Sequence, residues 1–311
     1  MATRAVADVL AGSGGSSSVF TGDDDPELVG DALPFALKLY ESILAEVPDH
    51  AALNLATGSA FVMYANAFVE AEADALPPEE FARRERERER AKRLYLRGAA
   101  YLFRALEVRS PGISAVLRTS AGPANAKPAD RKGAEAALAR FKKKDAGLLY
   151  WSAASLLAAY SLDPFDFALG ARIGEARTLM AAAYSLDPDY GSGAIDDFYV
   201  SYYGGLPPDL GGSREKALAH FARAVEKSGG KSASPYVSLA TAVAVPRQDY
   251  AEFKRLLEAA LAVDPDAVPG NRLATLIAQK RARLLLAKAP ELFIDVGDAP
   301  PAGAEGGGDA D

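Results

Sequence analysis

Small and large apolar residues recur along this chain at one spacing, and each set ends in a proline. A small residue is followed by a large apolar residue four positions later, a small or apolar residue three further on, and Pro five beyond. Examples are Ala36/Tyr40/Ile43/Pro48, Ala99/Phe103/Leu106/Pro111 and Ala176/Met180/Ala183/Pro188. The first three positions share one face of an α-helix, and proline cannot continue the helical hydrogen-bond ladder. The pattern therefore predicts successive amphipathic helices that each stop shortly before a proline.

This spacing is typical of the second helix in a tetratricopeptide-type (TPR) helical hairpin. One hairpin cannot cover its own apolar face, so hairpins of this kind must stack. We therefore predict an all-α fold of stacked antiparallel helical hairpins, a degenerate TPR-like solenoid with a concave inner surface or a central bore. The prediction places one helical domain at residues 23–296, a flexible segment at 1–22 and a disordered tail at 297–311.

Prolines also predict where individual helices begin. Asp25 followed by Pro26 is a typical helix start, with a capping carboxylate and proline at the first helical position. Pro34 is expected to start a second segment that runs to Val47. Pro77 and the acidic residues after it predict a long helix that ends near residue 108.

Composition excludes several classes of function. The formal net charge of -7 argues against nucleic acid as a partner, because phosphate binding needs a basic face. The absence of cysteine excludes disulfides, thiolate metal sites and a cysteine nucleophile. His50 and His220 are the only histidines, neither has a second ligand at metal spacing, and no catalytic or phosphate-binding motif occurs. We therefore expect a non-enzymatic protein without metal or cofactor. No apolar run of roughly 18 residues that would span a bilayer is evident.

Two groups of residues are candidates for binding. A stacked helical array leaves an inner surface, and Tyr and Trp suit such a surface because they are apolar with a polar tip. The candidates for contacting a ligand there are Tyr64, Asn66, Tyr150, Trp151, Tyr199, Tyr202 and Tyr203. The alternative for each is packing between hairpins. An alternating charge run supplies candidates for contacting an acidic partner, namely Arg83, Arg84, Arg86, Arg88 and Arg90. The alternative for this arginine stripe is a solvated helix face.

The sequence also resembles a known family over nearly its whole length. The stretches that carry the resemblance are Asp23–Val29 (DDDPELV), Ala32–Tyr40 (ALPFALKLY), Leu53–Gly58 (LNLATG), Gly211–Phe221 (GGSREKALAHF), Ser234–Ala240 (SPYVSLA) and Leu276–Leu286 (LIAQKRARLLL). They are similar to the T component of tripartite ATP-independent periplasmic (TRAP) transporters, the TatT family.

The resemblance implies a periplasmic, lipid-anchored, all-helical protein that forms homotrimers with a bore through each protomer. It implies docking to the solute-binding P component of a TRAP transporter and handling of a hydrophobic ligand. A lipid anchor needs a cysteine, and this chain contains none and shows no signal peptide. The alternative is a soluble TPR scaffold that holds a peptide in its groove, with Asn54, Asn66 and Arg97 as candidate contacts for a carboxylate.

Overall fold

The computed structural model describes residues 2–12, 19–120 and 128–296. It is 82% helical and contains no strand in those residues, which confirms the all-α prediction. The helices are α1 (Ala2–Gly12), α2 (Pro26–Glu46), α3 (Ala51–Tyr64, continued by a π-helical turn Ala65–Glu70 and by Ala71–Ala75), α4 (Phe81–Arg109), α5 (Ile113–Ser120), α6 (Pro128–Leu138), α7 (Ala146–Leu162), α8 (Phe167–Gly170), α9 (Ile173–Leu186), α10 (Ala194–Gly205), α11 (Arg214–Ser228), α12 (Ser234–Leu239, continued by a π-helical turn Ala240–Ala244), α13 (Tyr250–Leu261), α14 (Arg272–Ala287) and α15 (Ala289–Leu292). The tail predicted at 297–311 lies outside the described residues. The division of the chain into a flexible start, one helical domain and a tail stays a prediction.

Local signals set the helix ends. Asp25 caps α2 by accepting from the backbone N–H groups of Glu27 and Leu28, both at 3.0 Å. His50 caps α3 by accepting from the N–H of Leu53 at 3.1 Å through Nδ1. Several helices end one or two residues before the prolines of the repeated pattern, as predicted. These helices are α2, α4, α7 and α9.

The expectation that Pro34 starts a new segment is wrong, because Pro34 lies inside the continuous helix α2. A proline in a helix interior removes one backbone hydrogen bond and costs about 3 kcal/mol. Here Val29, Leu33 and Leu37 are buried on one side of the same helix. This packing offsets the local cost and keeps the helix intact across the proline.

The first half of the chain is held together by a close crossing of α3 and α4. A Cβ added at Gly58 would lie 2.8 Å from the carbonyl oxygen of Gly98, and the reverse distance is also 2.8 Å. Only a backbone without side chains permits this approach. Helix α7 packs on α4, and α9 packs on α7, around buried leucines such as Leu102, Leu149 and Leu179.

A second core lies in α10–α15, where Phe253, Leu256 and Leu257 are fully buried. Helix α10 joins the halves, because Ile195 belongs to the first core and Val200 to the second. The last long helix, α14, then packs against α2 through Leu273, which contacts the cluster of Val29 and Leu33.

The end of α3 is tied to the C-terminal part of the chain as well. Lys288 donates from Nζ to the backbone carbonyls of Asp74 at 2.6 Å and Leu76 at 3.0 Å. The series of helices therefore closes on itself instead of remaining open at both ends. The TPR-like repeat geometry itself stays a prediction.

One helix in the described part of the chain, Ala51–Ala75, is long and apolar enough to cross a membrane by length and composition. The sequence reading missed it because the run consists largely of alanine and other small residues. The helix packs against α2 and α4 and carries the buried polar residues Asn54 and Thr57. These contacts are those of a core helix.

Candidate functional site

Polar side chains from five helices lie near one another in this fold. We call this group the inner polar cluster, and its members are Asn66 and Glu70 on α3, Tyr95 on α4, Tyr150 on α7, Asp197 on α10 and Arg281 on α14. Most of its members are half-buried, Tyr95 is fully buried and Asn66 is exposed. Side chains more than two hundred positions apart in the sequence therefore lie near one another.

Glu70 and Tyr95 form the tightest contact in the inner polar cluster. The Tyr95 hydroxyl donates to Glu70 Oε2, and Asn66 lies beside the same hydroxyl. Burial raises the pKa of Glu70 above its ordinary value, although the Tyr95 hydrogen bond and the charges of Arg281 and Arg88 oppose the shift. Burial and the neighbouring carboxylate likewise raise the pKa of Tyr95, so its hydroxyl stays a donor.

Asp197 lies on the other side of the inner polar cluster. Its Oδ2 accepts from the Ser234 hydroxyl at 2.6 Å, its Oδ1 is buried, and Ser238 also lies beside the carboxyl group. Burial raises the pKa of Asp197, and the charge of Arg281 opposes this. Burial, with a contribution from the Asp197 charge, also raises the pKa of Tyr150. The site thus combines a buried carboxyl group and a buried phenol.

Arg281 supplies the positive charge of the inner polar cluster. It lies near enough to Glu70, Asp197 and Tyr95 for its charge to oppose the rise in the pKa of each. Within the described residues, no hydrogen bond or ion pair engages its guanidinium group. The arrangement therefore places one guanidinium group near two carboxyl groups and a buried phenol.

The structure brings only part of the predicted aromatic set to this cluster. Asn66 and Tyr150 belong to it, and Trp151 lies edge-on to Tyr150 with ring centroids 5.1 Å apart. Tyr64 lies elsewhere, because it stacks on Phe68 at 5.9 Å and packs in the contact between α2 and α14.

The remaining predicted tyrosines, Tyr199, Tyr202 and Tyr203, pack together as a separate tyrosine cluster. Tyr199 stacks on Tyr203 at 5.6 Å, and Tyr202 meets Tyr203 edge-on at 5.2 Å. His220 of α11 lies 4.7 Å from the Tyr199 ring, and burial raises the pKa of Tyr199 to about 12. These contacts are those of packing between α10 and α11, which was the alternative for each residue.

Sequence reasoning missed an ionic centre next to this tyrosine cluster. The fully buried Asp196 accepts from His220 Nδ1 at 2.6 Å, Lys227 Nζ at 2.7 Å and Arg223 Nε at 3.1 Å. Tyr184 Oη donates to the same carboxylate at 3.3 Å. Burial alone would raise the pKa of Asp196, but these hydrogen bonds and the Lys227 charge hold it well below its ordinary value. The signal in the sequence was the spacing of the three basic residues along one face of α11.

The arginine stripe lies on the first half of α4, and part of it is already paired within the chain. Arg83 pairs with Glu80 at 3.0 Å, Arg88 with Asp74 at 3.2 Å, and Arg90 with Glu87 at 3.2 Å. Arg84 lies 5.6 Å from the centre of the Phe81 ring, and Arg86 is exposed.

The residues suggested for peptide binding are mostly engaged in the fold. Asn54 is fully buried and donates to the carbonyls of Pro48 at 2.9 Å and His50 at 3.0 Å. Arg97 donates to both carboxylate oxygens of Glu41 at 2.5 Å and 2.6 Å. Neither side chain is free to hold a peptide carboxylate. Across the described residues, no group of three or more His, Asp or Glu side chains is arranged to hold a metal ion.

Comparison with known proteins adds two findings. A family model described as "TRAP transporter T-component" matches residues 22–293. A protein of Treponema pallidum (strain Nichols), described as an uncharacterized protein, is 35% identical over 277 residues, which cover 89% of this chain and 83% of that protein.

Proposed function

Because this chain belongs to the TRAP transporter T-component family, an accessory family of TRAP transport systems, we propose that it docks the solute-binding P component and binds a hydrophobic small molecule inside its closed series of helices. The observation that carries the proposal is the inner polar cluster. Its side chains come from five helices and lie near one another, and four of its six members are half-buried. A small number of convergent polar groups fixes the orientation of a small molecule in a binding site.

The surface for the P component is proposed on α4. Arg84 and Arg86 of the arginine stripe have no ion-pair partner among the described residues, so their charges are available to an acidic surface. Charges at the rim of an interface act on the association rate and on its salt dependence. With such a partner, the proposed site of action is the periplasm.

An apolar face of α2 supports self-association, which we propose to give a homotrimer. Leu28, Phe35 and Leu39 are 58%, 76% and 42% exposed and lie along one side of the helix. Contiguous exposed apolar side chains of this kind mark protein contacts.

Native mass spectrometry tests the docking and the trimer together. We expect a trimer of the 32.6 kDa chain and, after addition of a purified solute-binding P component of a TRAP transporter, a complex that Arg86→Glu weakens. The control is Arg104→Glu at the other end of the same helix, where the side chain is also exposed. Absence of any complex with the wild-type protein, or equal weakening by both variants, would refute the proposed docking.

A further inference from the structure

Two phenylalanines project from the surface where the chain passes from α7 to α8. Phe165 and Phe167 are 87% and 92% exposed, more than any other aromatic side chain of the described residues. Neighbouring exposed apolar side chains mark protein contacts, and aromatic residues supply much of the binding energy of such contacts. This pair of rings is therefore a candidate docking surface.

Hydrogen bonds to α4 hold the segment that carries the two rings. Lys92 donates from Nζ to Asp163 Oδ2 at 2.6 Å and to Asp166 Oδ2 at 3.0 Å, on either side of Phe165. Asp166 also caps α8 by accepting from two backbone N–H groups at 3.0 and 3.1 Å. Leu169, in the same short helix, is buried. The rings are thus presented on a preorganised segment, which reduces the entropy lost when a partner binds.

A groove of about 190 Å³ lies beside this segment, between α4 and the end of α7. Its walls are formed by Glu85, Arg88, Glu89, Lys92, Leu162 and Asp163. Sites that enclose a whole small molecule measure about 300–1,000 Å³. This groove is smaller and open to solvent, so it fits one long side chain that projects from a larger partner.

The charges of the groove favour a basic side chain. Its carboxylates outnumber its cations, and both cations are already paired, Arg88 with Asp74 at 3.2 Å and Lys92 with two aspartates. Glu85 is exposed and has no hydrogen-bond or ion-pair partner among the described residues. This excess of negative charge repels an anionic lipid surface, whereas a lysine or arginine of a partner protein pairs with it.

We propose that this face of the molecule docks a protein segment that carries a basic side chain next to apolar ones. The basic side chain enters the groove and pairs with Glu85, while the apolar side chains cover Phe165 and Phe167. The inference goes beyond the docking proposed for Arg84 and Arg86, because those two arginines do not line the groove and call for an acidic partner.

Fluorescence anisotropy with three labelled octapeptides tests the inference on the full chain. The probes alternate lysine with leucine, lysine with serine, or glutamate with leucine. We expect the lysine–leucine peptide to bind most tightly. The double variant Phe165→Ser with Phe167→Ser should weaken its binding roughly tenfold or more, because the apolar side chains of the peptide lose the surface that covers them. Glu85→Gln should weaken the binding of both lysine peptides about two- to fivefold, as expected for the loss of an exposed ion pair.

Two control variants remove similar side chains elsewhere. Ile294→Ser removes an apolar side chain that is 95% exposed, and Glu258→Gln removes a carboxylate on α13 that is 59% exposed. Neither should change peptide binding. If the lysine–leucine peptide binds no more tightly than the other two, or if the double phenylalanine variant and Ile294→Ser behave alike, the docking site is refuted.

Two further measurements distinguish other occupants of the same surface. The proposal is overturned if the double phenylalanine variant changes the mass of the free protein in native mass spectrometry, because a second copy of the chain then covers the rings. It is equally overturned if wild-type protein sediments with phosphatidylglycerol vesicles and the double variant does not, because a membrane then covers them. The complex with the P component is measured separately through Arg86→Glu, so either proposal can fail without the other.

Discussion

Replacing Asp196 with alanine is the perturbation whose effect on stability is best defined by the structure. Asp196 lies in the first turn of α10, is fully buried and joins this helix to α11. Its carboxylate accepts from His220, Arg223 and Lys227 at 2.6, 3.1 and 2.7 Å. The substitution removes the acceptor and leaves these partners in place.

The expected loss follows from the number and burial of these contacts. A hydrogen bond to a charged group contributes about 1.5–3 kcal/mol, but contacts that share one carboxylate are not additive. Removing one partner of a buried ion pair costs about 3–5 kcal/mol. The side chains of Lys227 and His220 are 18% and 12% exposed, so water compensates them only in part. We therefore expect the free energy of unfolding to fall by about 3–5 kcal/mol.

Chemical denaturation followed by far-UV circular dichroism measures this loss. The matched control is Asp189→Ala, since Asp189 also pairs with Lys227, at 3.4 Å, but is 71% exposed. Exposed ion pairs contribute about 1 kcal/mol or less. An equal loss in the two variants would refute the argument that burial, and not charge pairing as such, makes Asp196 important.

The pKa of Asp196 determines how this loss of stability depends on pH. The hydrogen bonds and the Lys227 charge hold the pKa of Asp196 in the folded protein below its ordinary value of 3.8. A lowered folded-state pKa adds stability above the unfolded-state value, and this stability is lost as the pH falls through the folded-state value. The difference in the free energy of unfolding between the wild type and Asp196→Ala should therefore be constant near neutral pH and shrink below about pH 4.

Two further substitutions test the packing of the fold. Gly58→Ala would place a Cβ 2.5 Å from Leu102 Cγ. We therefore expect the free energy of unfolding, measured by chemical denaturation, to fall by about 1–3 kcal/mol. Gly205→Ala is the control and should be neutral, because a Cβ there would have no atom within 4 Å. Lys288→Ala removes two hydrogen bonds to backbone carbonyls at the end of α3 and should cost about 1–2 kcal/mol. Lys280→Ala, an exposed position on α14, is its control, and equal losses would contradict the role of Lys288 in closing the series of helices.

The sequence predicted the helices well because their limits are set locally. The pattern of prolines marks the ends of α2, α4, α7 and α9, and the cap at Asp25 marks the start of α2. Pro34 shows where local reasoning fails, since burial of Leu33 and Leu37 keeps α2 continuous. A local rule cannot weigh a cost at one residue against packing supplied by other helices.

The candidate site was much less accessible to sequence reasoning. The inner polar cluster depends on contacts such as that between Leu273 of α14 and Val29 of α2, which no local pattern encodes. Of the seven residues predicted to contact a ligand, Asn66 and Tyr150 lie in the cluster, while Glu70 and Arg281 were not anticipated. Charged residues within helices read as solvent-exposed positions unless the helix that covers them is known.

The adjacent residues Asp196 and Asp197 have different surroundings within one turn of helix. Residues next to each other on an α-helix point about 100° apart, so one carboxylate meets α11 and the other meets Ser234 at the start of α12. Hydrogen bonds to three basic residues lower the pKa of Asp196, whereas burial raises that of Asp197.

A buried charge costs free energy unless the protein compensates it. Asp196 is compensated in full and so contributes to the fold, whereas Arg281 has no bonded partner within the residues described. Replacing Arg281 with glutamine should accordingly cost less stability than Asp196→Ala. It breaks no hydrogen bond among the described residues and removes only the charge that partly offsets the burial of Glu70 and Asp197.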